Sequence, residues 1–386
     1  MSFTTLAVIG LAGLVGPLLA WPKRWHLPVL LGELLAGIIL GPSVFGALHP
    51  AEPGFTFLAA LGFALVMFVA GSHVPVRDVS LRAALGVGTL RAVVVGVVAV
   101  ALGVAISAMF GTGHPALYAV LIASSSAALV LPIVGSLGLS GPPVLQTLAQ
   151  VAVADTACIV ALPLAIDPAH AGRAALGALA VIGVAAVLFV VLGQAERSGL
   201  RKRLHHVSGE RKFALELRIS LVLLFALAAV AVRTDVSIML AGFAFGLVVA
   251  GIGEPRRLAR QLFAVAEGFL GPLFFVWLGA TINLRDLGQH PTYIVLGMVL
   301  GLGAVAAHTL PAALGQPLAL GSLASAQLGV PVAAATIGSQ QHLLHPGEAA
   351  ALLLGALTTI AFATLGGAAA SRTQTPTGRE PLATDH

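Results

Sequence analysis

Charge is what this sequence has least of. Only 9% of its 386 residues are Asp, Glu, Lys or Arg, whereas 58% are hydrophobic. A soluble domain carries about 25% charged residues. That class is therefore excluded, and a mean hydropathy of +1.01 places the chain in a bilayer. Cysteine is nearly absent too. The single Cys158 excludes an internal disulfide and a cysteine zinc site and reads as a small buried hydrophobe. Basic residues at the N-terminus are missing: Met1 to Ala20 contains none, so the segment reads as a retained first helix rather than a cleaved signal. No nucleophile–base–orienter set and no phosphate-binding loop stand out, which argues against catalysis and against a bound cofactor.

What is present is a series of long apolar runs. Stretches of about 17 to 25 residues suffice to span, and thirteen qualify, at roughly 3–21, 28–46, 55–71, 81–109, 115–138, 142–165, 170–193, 213–232, 235–252, 265–282, 291–313, 317–338 and 347–369. The expected class is an all-α polytopic membrane protein of about 13 transmembrane helices. One transmembrane domain covers residues 1–370, and residues 371–386 form a short polar tail, expected to be disordered.

The basic residues suggest an orientation. Loops after odd-numbered spans hold thirteen Lys and Arg, from Lys23 to Arg260, whereas loops after even-numbered spans hold Arg173, Arg233 and Arg285. By the positive-inside rule the N-terminus lies outside and the C-terminus in the cytoplasm of a cell-membrane protein. The basic run Arg201-Lys-Arg-Leu-His-His206, with Arg211 and Lys212, fits an orientation signal touching lipid headgroups, not nucleic acid.

An internal repeat is visible. Gly71-Ser-His-Val-Pro-Val-Arg77-Asp78 closes the third span, and Gly279-Ala-Thr-Ile-Asn-Leu-Arg285-Asp286 closes the tenth with the same Gly, Arg and Asp spacing. Leu35-Ala36-Gly37 and Leu240-Ala241-Gly242 match upstream. Paired spans lie seven apart, so the two copies face opposite ways, as in the inverted-topology repeats of many secondary transporters. The same offset pairs the fifth span with the twelfth. The fifth contains Ser124-Ser-Ser126 followed by Pro132, and the twelfth contains Gln327-Leu-Gly329-Val-Pro331. Such residues free backbone carbonyls and leave half-helix ends facing a site, although Ser and Pro also serve as plain packing elements in membrane helices.

One acid stands apart. Asp155, in Gln150-Val-Ala-Val-Ala-Asp155-Thr-Ala-Cys158, is the only carboxylate near the middle of a long apolar run. An ionised Asp there costs about 2.5 to 3.5 kcal/mol on insertion scales, and such residues mark ion or proton pathways. Glu33, by contrast, is placed near a helix start, where an acid suits the dipole.

Several of these segments resemble a known family. Leu31-Gly-Glu33-Leu-Leu-Ala-Gly37-Ile-Ile-Leu-Gly41-Pro42-Ser43 is similar to the second-helix signature of the second monovalent cation:proton antiporter family, the sodium/hydrogen and potassium/hydrogen exchangers. Phe63 to Gly71, Leu240 to Leu247 and Pro272 to Gly279 resemble its third, ninth and tenth helices. The resemblance implies the sodium/proton antiporter fold: inverted repeats, two discontinuous crossing helices (the fifth and twelfth) and a homodimer. Spans four to six and eleven to thirteen would form the core that moves against the rest. It also implies that Asp155 is the ion-binding carboxylate. His308 stands where many members carry a basic residue on the eleventh helix. Ala154 stands where many have a second polar residue, which implies electroneutral exchange of one cation for one proton. Leu328 and Val330 replace a frequent Arg and Glu, and His73 a frequent Glu.

The chemistry expected of such a site is competition. Desolvation favours the neutral state of a carboxyl group, so Na⁺ or K⁺ and H⁺ contend for the Asp155 oxygens. Hydroxyls of Ser124, Ser125, Ser126 and Thr156 complete an oxygen shell, and Gln150 and Gln327 stand behind it. His308, with an imidazole that titrates near neutral pH, is a candidate counter-charge; its plainer reading is a hydrogen-bonded core histidine. Two other functions stay open: a non-transporting sensor or regulator on the same scaffold, and a small-solute carrier of the same architecture.

Overall fold

The computed structural model describes residues 1–21, 29–72, 74, 77, 79–198, 215–234, 236–253, 256–282 and 284–373. Backbone polar groups inside hydrocarbon must be satisfied within their own segment, and the apolar runs accordingly fold as helices, with no strand among the described residues. The first span bends between α1 (Phe3–Gly13) and α2 (Val15–Ala20) and is followed by α3 (Val29–Leu40), α4 (Pro53–Ser72) and α5 (Val79–Phe110). The next is split into α6 (Pro115–Ala123) and α7 (Ala127–Ser136). Then come α8 (Pro142–Ile166), α9 (Ala171–Arg197), α10 (Leu215–Arg233) and α11 (Ile238–Ile252). A π-helical turn at Ala266–Leu270 joins α12 (Arg256–Val265) to α13 (Gly271–Thr281). After α14 (Leu284–Gln289) and α15 (Pro291–Thr309), a second split span holds α16 (Leu318–Ala324) and α17 (Gly329–Gln340), and α18 (Glu348–Thr373) ends the described chain. Proline opens α6, α8 and α15, where its missing N–H is one that a helix start leaves unbonded anyway.

Among the described residues eleven helices are long and apolar enough to cross a membrane, not thirteen. The second and ninth expected spans are the shorter α3 and α11, of 12 and 15 residues. At 1.5 Å per residue they cover about 18 and 22 Å, less than a hydrocarbon core of about 30 Å. The last helix runs through Thr373, past the expected start of the polar tail. Lys23, Arg24, His73, Asp78, the run Arg201–Lys212 and residues 374–386 lie outside the described residues.

Glycine sets the closest helix approaches. A Cβ at Gly37 of α3 would strike the Val276 carbonyl on α13, and one at Gly279 would strike the Leu34 carbonyl on α3. The same reciprocal contact joins α4 and α11: a Cβ at Gly71 would strike the Phe243 carbonyl, and one at Gly246 the Phe68 carbonyl. Without water to drive them together, membrane helices need such small residues to gain contact. Elsewhere α5 packs on α6 and α8, and α18 packs on α15 and α16. Arg77, one of the repeated arginines, donates to the Ile252 carbonyl at 2.9 Å and so closes the end of α11.

Candidate ion-binding site

Asp155 is the fourteenth residue of α8 and is 5% exposed. Its Oδ2 accepts a hydrogen bond from the Ala127 N–H at 2.9 Å. Ala127 is the first residue of α7, so the carboxylate stands against the positive end of a half-helix. No Lys, Arg or His forms an ion pair with Asp155 among the described residues.

That half-helix end exists because the span is unwound at Ser124–Ser126, where the serine cluster suggested a break. Ser124 turns the chain: its N–H and its hydroxyl both donate to the Leu121 carbonyl, at 3.1 and 2.8 Å. Ser126 caps α7 through its backbone, its carbonyl accepting from Leu129 and Val130. Ser125 reaches across to the other broken span. Its hydroxyl donates to the Ala324 carbonyl at 2.6 Å and lies 3.2 Å from His308 Nε2.

The second break spans Ser325–Leu328, slightly before the expected motif, with Pro331 inside the first turn of α17. Pro132 likewise sits within α7, not at the break. Gln327 ties the two breaks together. Its Nε2 donates to the Leu121 carbonyl at 2.6 Å and lies 3.3 Å from that of Ser124, while its N–H donates to Thr359 Oγ1 at 3.2 Å. A neutral amide thus serves the buried, interrupted end of α6, in a span where Leu328 and Val330 are buried apolar residues.

The structure does not bring every expected residue together. His308, fully buried, donates from Nδ1 to the Ala304 carbonyl at 2.9 Å and meets Ser125, not Asp155. Gln150 is engaged elsewhere, its Oε1 accepting from Gln316 Nε2 at 2.8 Å. Thr156 donates to the Ala152 carbonyl of its own helix. Glu33 is the fifth residue of α3, buried instead of standing in an exposed first turn. Ala127, Ala324 and Gln316 were not foreseen, since backbone groups carry no sequence signature and Gln316 lies between spans.

Beyond the end of α8, a cavity of about 180 Å³ is lined by Pro163, Asp167, His170, Arg173, Ser237 and Gln341, among others. Asp167 there accepts a 2.7 Å hydrogen bond from His170, which holds its carboxyl below the usual carboxylate range.

The family model described as "Sodium/hydrogen exchanger, transmembrane" matches residues 9–370. The chain belongs to this family. Within the exchanger family it is 25% identical over 321 residues to the Na(+)/H(+) antiporter NhaS4 of Synechocystis sp., covering 76% of each chain. It is 22% identical to YjbQ of Bacillus subtilis, a candidate Na(+)/H(+) antiporter by name, over 94% of this chain and 62% of that one. It is 28% identical to KefC of Klebsiella pneumoniae, a glutathione-regulated potassium-efflux protein, over 76% of this chain. The chain spans 62% of the length of YjbQ and 47% of that of KefC. The solved sodium proton antiporter MjNhaP1 of Methanocaldococcus jannaschii shares the fold, with a TM-score of 0.63 at 16% identity over 95% of this chain and 96% of that one.

Proposed function

We propose that this protein is a secondary antiporter, not an enzyme, that exchanges Na⁺ or K⁺ for H⁺ across the cell membrane by alternating access. Asp155 carries the exchange. A carboxylate this buried, without a basic partner among the described residues, is stable only when something positive neutralises it. A proton and an alkali cation both qualify, and one carboxylate holds one at a time, which makes the exchange electroneutral. The α7 N-terminus orients the carboxylate, and oxygens of Ser124, Ser125 and Ser126 supply neutral ligands beside it, whereas Thr156 bonds back to its own helix. Gln327 and Gln150 hold the frame. Family membership and the names of the relatives support this reading, as does the reciprocal glycine packing of the helix pairs related by the inverted repeat. The protein acts as a homodimer in the bilayer, serves pH homeostasis, and has its N-terminus outside and its C-terminus in the cytoplasm.

Reconstitution into vesicles carrying an internal pH dye tests it. An imposed Na⁺ or K⁺ gradient drives proton movement in the wild type, without dependence on membrane potential. Asp155→Asn has no proton to release and abolishes the signal. Cation-driven flux retained in that variant rules the proposal out. One observation favours a second reading. The apolar Leu328 and Val330 in the twelfth span suit a sensor that no longer transports, and a wild type that is silent with every cation and with added small solutes selects it.

A further inference from the structure

Away from Asp155, a second polar cluster joins the connection between α5 and α6 to the start of α18. Glu348, fully buried, places Oε1 2.8 Å from His114 Nδ1 and Oε2 3.1 Å from His345 Nδ1. The candidate ligand atoms of these three residues lie within 4.8 Å of one another. We propose that His114, His345 and Glu348 form a binding site for a divalent transition-metal ion, with Zn²⁺ as its representative.

The donor set is the first ground. Two imidazoles and one carboxylate suit zinc, and three protein ligands leave a fourth position for water. The spacing is the second. Ligand atoms about 2.0 to 2.2 Å from a tetrahedral zinc sit roughly 3.4 Å apart, so the two nitrogen–oxygen separations of 2.8 and 3.1 Å need to open slightly, and any wider pair, none beyond 4.8 Å, needs to close onto the ion. In this arrangement each Nδ1–H donates to the carboxylate, and a metal ion replaces those two protons. The imidazoles then carry their protons on Nε2, and His345, half exposed at 51%, can turn its Nε2 to water.

Support around the ligands is the third ground. The Tyr118 hydroxyl donates to Glu348 Oε1 at 2.7 Å, and the His345 N–H donates to Oε2 at 2.9 Å. Such bonds fix a carboxylate in the way metal sites require. Each histidine precedes a proline, Pro115 and Pro346, which restricts its backbone before any ion arrives. Gly347 holds φ at +88° against the Tyr293 ring, the turn that aims His345 back at Glu348. Nothing here depends on the antiport reading.

The test is calorimetry on the purified full-length protein in detergent, with Zn²⁺ and Mg²⁺ as the probes. The wild type should bind one equivalent of Zn²⁺ saturably in excess Mg²⁺. Affinity should fall at least tenfold in His345→Gln, whose exposed side chain is replaceable without disturbing the fold, and further in His114→Gln. His342→Gln, an exposed neighbour outside the set, should bind as the wild type does. Electron paramagnetic resonance of wild-type protein with one equivalent of Cu²⁺ should show two coordinated imidazole nitrogens, without recourse to any variant. No saturable wild-type binding, an unchanged affinity in both His114 and His345 variants, or displacement by equimolar Mg²⁺ would each overturn the site.

Discussion

At the scale of single residues, Asp155 and His308 both contact the broken fifth span. The first accepts from the Ala127 N–H, and the second meets the Ser125 hydroxyl. With His308 neutral and its proton on Nδ1, Ser125 has one hydrogen for two acceptors, the Ala324 carbonyl and His308 Nε2. With His308 protonated, Nε2–H donates to Ser125 and Ser125 donates to Ala324, so every group is satisfied. The position therefore changes its hydrogen bonding with protonation and carries that change into the break. His308→Lys fixes the charge. Exchange measured across pH should lose the inflection that the imidazole contributes, and an unchanged profile would assign His308 to packing alone. Asp155 was legible in the sequence because a lone mid-span acid stands out against apolar neighbours. The Ser125–His308 contact was not, because 183 residues separate its members and only the packing of α15 beside the two broken spans joins them.

At the scale of elements, the breaks were legible as regions, the first of them at its serine cluster, but the part assigned to proline was misread. Proline suggested where the helices fail, yet Pro331 sits in the first turn of α17, where a missing N–H costs nothing. What holds the first break open is side-chain replacement of lost backbone bonds. Ser124 and Gln327 supply donors to the Leu121 carbonyl that the continuing helix no longer provides. Gln327→Leu removes the amide and leaves buried carbonyls of α6 underbonded. The expected cost is about 1 to 3 kcal/mol, read as a lower midpoint of thermal unfolding in detergent. A variant that unfolds with the wild type would mean that other donors fill the gap. The glycine contacts were legible in part. Matching Gly37 with Gly242 and Gly71 with Gly279 came from spacing, but the partners that they touch depend on how the two copies interleave, which spacing does not encode.

At the scale of the molecule, orientation and the number of crossings are one question, because each helix that crosses reverses the face of every later loop. Cys158 is the chain's only cysteine and is buried, so a Cys158→Ala background leaves introduced cysteines as the sole labels. Exposed positions suit the purpose: Ser2, Ala116, Ala169 and Gln289 on one expected face, Ser136 and Ser198 on the other. A membrane-impermeant maleimide applied to intact cells should label the first four, and should reach the last two only after permeabilisation. The reverse pattern would refute the orientation drawn from the basic loops. A mixed pattern is more informative still. Ser2 and Ala116 share a face only if α3 crosses with its neighbours, and Ala169 and Gln289 share one only if α11 does. Over their described residues these two helices extend about 18 and 22 Å, short of an unperturbed core of about 30 Å. If both pairs label together, the bilayer thins or the flanking segments complete the crossing at α3 and α11, which pack by glycine contact against α13 and α4. Short helices held this closely would then gather on one side of the protein, and the thinned bilayer beside them would shorten the path that an ion travels.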